Sequence, residues 1–192
     1  MTYNRLLKKI QEYVSLSDVD SGVLASLFEE RTLSKGELFL REGHVCRELA
    51  FINKGLVCYF VTQDGNEVVH NFAKEGNFIC NYDSLISRIP SQKNILALES
   101  TELLVISREK LDRLYTAIPQ GERFGRLLMQ NVYTEAIRHI ISFYTDTPQK
   151  RYQEFVARHQ DLAQRIPQYY IASFIGVKPQ SLSRIRKRMQ VS

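Results

Sequence analysis

Between Thr32 and Arg108 the chain is built of short β-branched or aromatic runs cut by glycine. Leu38-Phe39-Leu40 runs into Gly43, Leu49-Ala50-Phe51-Ile52 into Gly55, and Leu56-Val57-Cys58-Tyr59-Phe60-Val61 into Asp64-Gly65. Val68-Val69-His70-Asn71-Phe72, Gly76-Asn77-Phe78-Ile79, Ile95-Leu96-Ala97-Leu98 and Leu103-Leu104-Val105-Ile106 follow. About eight short strands with a turn signal every 8–12 residues predict a β-barrel, jelly roll or sandwich. Asp-Gly between two apolar runs is a strong hairpin signal.

The flanks change period. Leu6, Leu7, Ile10 and Val14, then Val23, Leu24, Leu27 and Phe28, mark helices over about residues 3–32, with Ser17 or Asp18 as the N-cap between them. After Arg108 a short helix runs to Ala117 and ends before Pro119. A stripe of Phe124, Leu127, Leu128, Val132, Ala136, Ile137, Ile140 and Ile141 then predicts one long helix over about 119–143. Such a stripe packs either on its own domain or on a copy of itself. Asp146-Thr147-Pro148 breaks the helix, so the expected domains are 1–144 and 145–192.

Charge is divided along the same boundary. The chain of 192 residues has a net charge of +5. Residues 145–192 hold nine Lys/Arg and three Asp/Glu, and the last fifteen hold five bases and no acid. A near-neutral body with a basic end points to a polyanion, above all nucleic acid. No run approaches the ~20 apolar residues of a membrane span, and the charged start lacks a secretory apolar run; a cytoplasmic location is expected.

The basic end also has internal order. Ile171, Phe174 and Ile175 form an apolar face after small Ala172; Gly176 and Val177 form a turn. Pro179 opens a second helix, where its missing N–H costs nothing, and Leu182, Ile185 and Met189 bury that helix. This is a helix-turn-helix pattern. Its outward face carries Gln180, Ser181, Ser183, Arg184, Lys187 and Arg188, with Lys178 just before. Gln suits the adenine edge and Arg the guanine edge in the major groove; Ser, Lys and Arg also reach phosphates.

Taken together, Gly36-Glu37, Gly43, Asn53-Lys54-Gly55, Asp64-Gly65, Gly76-Asn77-Phe78-Ile79 and Ile171-Ala172…Gly176…Leu182-Ser183-Arg184-Ile185 resemble the Crp/Fnr family of bacterial transcription regulators. The resemblance spans about Leu16 to Met189. It implies an α+β chain: an N-terminal β-roll of the cyclic-nucleotide-binding type, a long dimerisation helix, and a C-terminal helix-turn-helix. It implies a homodimer paired through Phe124, Leu127, Leu128, Val132 and Ile137, acting on double-stranded DNA, with RNA polymerase as a further candidate partner. Family members read DNA with an Arg-Glu pair opening the recognition helix and an Arg four residues after the Glu. Pro179 and Gln180 stand at the pair here and Arg184 at the later Arg, so the operator should differ. The family's two-stranded wing would begin past Met189, so a wingless head is expected.

The effector site departs further from the family. True cyclic-nucleotide binders place a ribose-binding Glu and a phosphate-binding Arg where this chain has Cys80-Asn81-Tyr82 and Ser91-Gln92-Lys93. The expected pocket residues are Phe78, Asn81, Tyr82, Arg88, Ser91, Gln92 and Lys93, with Arg88 and Lys93 as the substitute cations. Without the guanidinium a cyclic phosphate loses a bidentate contact, so the ligand is unassigned and cyclic AMP is only an alternative. Cys46, Cys58 and Cys80 have no metal-ligand spacing, and an iron–sulfur cluster needs four thiolates; neither metal nor cluster is expected. His44 and His70 read as ordinary strand residues rather than haem ligands. A cupin-type enzyme needs clustered histidines, which His44, His70, His139 and His159 do not supply, so no catalysis is expected. The competing reading is a small-molecule signalling module with weak or no DNA binding.

Overall fold

A computed structural model describes residues 3–158 and 160–190. Its elements run α1 (Asn4–Gln11), α2 (Asp18–Leu27), β1 (Glu29–Leu33), β2 (Leu38–Leu40), β3 (Glu48–Lys54), β4 (Leu56–Gln63), β5 (Asn66–Lys74), β6 (Phe78–Ile79), α3 (Tyr82–Ser87), β7 (Asn94–Ala97), β8 (Thr101–Ser107), α4 (Arg108–Ala117), α5 (Gly121–Thr145), α6 (Pro148–Arg158), α7 (Gln168–Phe174) and α8 (Pro179–Gln190). Two four-stranded sheets form, ordered β1-β8-β3-β6 and β2-β7-β4-β5. The expected all-β body with helical flanks is therefore present.

Contacts divide the chain into two compact units. One holds residues 1–59 and 72–132; the other holds residues 60–71 and 133–192. The division falls within α5, at 132/133, rather than at the expected 144/145. Strands β4 and β5 also cross from one unit to the other, so their hairpin tip groups with the helical C-terminal end.

The first unit is organised around the β1-β8-β3-β6 sheet. β3 and β8 pair antiparallel from Glu48↔Ser107 to Lys54↔Glu102. Their buried faces contribute Phe51, Ile52, Leu103, Leu104 and Ile106 to one core with Leu6, Ile10, Leu24, Leu111 and Leu114 from the helices. Ser17 caps α2 through a capping box: the Asp20 amide donates to Ser17 Oγ at 3.1 Å and the Ser17 amide to Asp20 Oδ2 at 3.0 Å. The Ser17 amide first, then the Ser17 hydroxyl donating to Asp20 Oδ2 at 2.7 Å, hold the Asp20 carboxyl below its usual range.

Three local differences from the sequence expectation have simple causes. Glu29–Leu33 is strand rather than the end of a helix; only Leu33 of the five is buried, so no alternation advertises it. Residues Tyr82–Ser87 form α3 within what reads as loop. Phe124, placed on the dimer stripe, is buried in its own unit, against Tyr13 (5.8 Å) and Phe78 (5.7 Å). The stripe serves two surfaces in succession: Phe124, with Leu128 partly, packs on the local core, whereas Val132, Ile137, Ile140 and Ile141 are exposed.

A candidate nucleic-acid interface and the β-roll cassette

The second unit builds the C-terminal head. Tyr152 and Phe155 of α6, Leu162, Ile166, Tyr170, Ile171, Ala172, Ile175 and Leu182 are all buried. The turn between α7 and α8 closes as a Schellman motif. The Val177 amide donates to Ala172 O (2.9 Å) and the Gly176 amide to Ser173 O (3.0 Å). Gly176 takes the left-handed conformation that the motif requires, with φ +73°. Lys178 caps α8, accepting from the Ser181 and Leu182 amides, and Pro179 occupies the first helical position.

One cation ties the head together. Arg151 on α6 donates to Ile175 O (2.9 Å) in the turn and to Asp146 O (2.7 Å) after α5. Its guanidinium lies over the Phe143 ring, 4.8 Å from the centroid. His139 stacks on Phe143 at 5.2 Å and meets Phe174 edge-on at 4.5 Å. Burial first, then the nearby Arg151 charge, push the His139 imidazole below its ordinary pKa.

This packing leaves the predicted reading face outward. Lys178, Gln180, Ser183, Arg184, Lys187 and Arg188 are exposed and Ser181 is half-buried, while Leu182 is sealed beneath them. Ser183 and Arg184 lie three and four residues after Gln180, and Lys187 lies four and three after them, so the four share a stripe of α8. An exposed helical stripe with amide, hydroxyl and cationic groups and no carboxylate has the dimensions and chemistry of a major-groove reader.

Sequence reasoning missed the residues behind that face. Tyr170 Oη donates to Glu67 Oε2 (2.7 Å), and the Val69 amide of β5 donates to Ser173 Oγ (2.8 Å). Only the Asp64-Gly65 turn was legible at this point. It makes the hairpin tip, with Asp64 φ +51° and Gly65 φ +77°, as a type I′ turn demands.

In the first unit, the expected pocket residues separate. Asn81 and Ser91 are buried and Lys93 half-buried; Tyr82, Arg88 and Gln92 are on the surface. Phe78 is half-buried and packs against the core, 5.1 Å from Phe51. Asn81 Nδ2 donates to Ser91 Oγ (2.8 Å), as does the Lys93 amide (3.1 Å), and Ser91 Oγ donates to Lys93 O (2.7 Å). The hydroxyl's one proton and two lone pairs are thereby used. The loop is held from its other side: Gly43 N donates to Ser91 O (2.8 Å) and Ser91 N to His44 O (2.9 Å). Burial raises the Cys80 thiol to about 12, aided by Cys46 and opposed by Lys93, so it stays protonated. Among the described residues no three His, Cys, Asp or Glu side chains gather as a metal site.

Sheets, cassette loop and helical head define a cyclic-nucleotide-binding-type β-roll joined to a helix-turn-helix, and residues 30–117 match the family model "Cyclic nucleotide-binding domain". The chain has the architecture of the Crp/Fnr-type regulators. FixK2 from Bradyrhizobium japonicum matches at TM-score 0.75 and 16% identity, over 85% of each chain. The catabolite activator protein of Thermus thermophilus matches at 0.60 and 20%, over 95% of this chain and 86% of that one. The regulator CLP of Xanthomonas campestris, described as responsive to c-di-GMP, matches at 0.69 and 17%, over 91% and 92%. The sequence matches none of the curated proteins with which it was compared. No described helix is long and apolar enough to cross a membrane.

Proposed function

We propose that the chain is a homodimeric, sequence-specific DNA-binding transcription regulator whose β-roll takes a small effector. The observation that carries this reading is the α8 stripe of Gln180, Ser183, Arg184 and Lys187, exposed and free of acid, held rigidly by the Schellman turn and Arg151. Pairing through α5 is supported by Val132, Ile137, Ile140 and Ile141, which are 51%, 36%, 53% and 51% exposed on one helix. Isolated apolar residues are common on surfaces, but a contiguous helical stripe marks an interaction face. Two such heads would engage half-sites about one helical turn, roughly 34 Å, apart.

The cassette bonds favour an effector other than a cyclic nucleotide. The Ser91 hydroxyl is saturated within its own loop, and the chain has Ser91-Gln92-Lys93 where the resemblance would place the phosphate-binding Arg. Effector binding would act by favouring one arrangement of the two heads. Mobility shift against fragmented genomic DNA tests the proposal: retarded fragments at low salt support it, and none would leave the signalling module as the better reading.

A further inference from the structure

Glu67 lies about a hundred residues from the helix-turn-helix, on a strand whose far end, from Phe72, belongs to the β-roll, yet it touches α7. The hairpin from Phe60 to Asn71 packs within the C-terminal unit. β5 is the edge of its sheet, so its outer amides lack a strand neighbour on that side. Ser173 accepts one of them, from Val69, at 2.8 Å. Two residues away, the exposed Glu67 carboxylate accepts from the hydroxyl of Tyr170, whose ring is buried in the head. The two contacts sit one helical turn apart on α7, at Tyr170 and Ser173, so they fix both its position and its rotation. Neither uses a side chain of the α8 reading face.

Resting on the DNA-binding reading above, we propose that Glu67 is a positioning residue for DNA recognition. Through Tyr170, and with Ser173 on the Val69 amide, the β4–β5 hairpin fixes the direction in which α8 points. Each chain of a dimer then presents its head already oriented for one operator. Without the strut each head still reads its half-site, but the second contact must order a loose head. The loss therefore falls on two-headed binding and spares one-headed binding.

The experiment uses the full chain with Glu67→Ala, Tyr170→Phe and Glu67→Gln, the last retaining an acceptor oxygen for the tyrosine. The probes are the best duplex selected from random-sequence DNA and a duplex carrying one of its halves. A charge-assisted hydrogen bond of this kind predicts about tenfold weaker binding of the full site for Glu67→Ala and Tyr170→Phe. Half-site affinity should stay within about twofold of the parent, since no reading residue is touched. Glu67→Gln should restore most of the full-site affinity. Hydrogen–deuterium exchange reads the contact without DNA: Ser173→Ala should speed exchange at the Val69 amide. Equal losses on both duplexes, no loss on either, or failure of Glu67→Gln to rescue would overturn the proposal, as would unchanged exchange at Val69. If the parent selects no duplex at all, the DNA-binding reading fails, and the exchange result alone then decides whether the strut exists.

Discussion

Gly176→Ala should destabilise the C-terminal head by about 2–3 kcal/mol. Two costs combine. With φ at +73°, a side chain must enter the left-handed region, which costs about 1–2 kcal/mol. A Cβ built there would also lie 2.7 Å from Phe143 Cε1 and 3.4 Å from Cδ1. That ring is stacked on His139 and carries the Arg151 guanidinium over it, so moving it disturbs both contacts. Displacing it by ~30° costs about 0.5–1.5 kcal/mol more. Gly65→Ala is the matched control. It shares the positive φ (+77°), and a Cβ there meets nothing within 4 Å. It also removes the same backbone freedom from the unfolded chain. Urea denaturation of both variants should separate them by about 1 kcal/mol, with Gly176→Ala the less stable. Equal midpoints would refute the claim that the Phe143 ring leaves no room for a side chain at Gly176.

Further outcomes follow from the same contacts. Arg184→Ala should cost about 1–3 kcal/mol of DNA affinity and relax preference at one base pair, which selection from random DNA reads directly; unchanged preference would remove Arg184 from base reading. Lys187→Ala should weaken all sequences alike and lower the salt slope by about one. Ile137→Glu and Ile140→Glu each place a charge on the exposed α5 stripe and should shift sedimentation toward monomer without lowering helical content. His139 is held neutral in the fold by burial and by Arg151. As pH falls below the ordinary histidine value of about 6.5, the unfolded chain binds a proton that the folded chain resists, so stability declines. His139→Leu should flatten that part of the urea-midpoint profile, and an unchanged slope would show that His139 does not cause it.

The sequence patterns that translated well were local ones. Asp64-Gly65 announced a hairpin turn because αL-tolerant residues fit its tip. Ser17 or Asp18 announced an N-cap before α2, and Ser17 provides it. Ala172, Gly176 and Pro179 announced two helices and their turn, because each residue answers a backbone need at its own position. What escaped depends on distant partners. Phe124 and Ile137 look alike along the α5 stripe, and only the presence of Tyr13 and Phe78 beside the first separates them. Glu67 and Tyr170 are 103 positions apart, and nothing in either neighbourhood signals the other. The cassette gave a mixed result. The missing Glu and Arg were visible in Cys80-Asn81-Tyr82 and Ser91-Gln92-Lys93, whereas the saturation of Ser91 by Asn81 and Lys93 needed the folded loop.

Selection of bound duplexes from random DNA by the purified full chain, at low salt, tests the central claim most directly. A homodimeric reader with α8 in the major groove predicts enrichment of a near-palindrome whose half-sites are centred about one helical turn, roughly 34 Å, apart. Recovery of unselected sequence, with no duplex enriched over the starting pool, would contradict it.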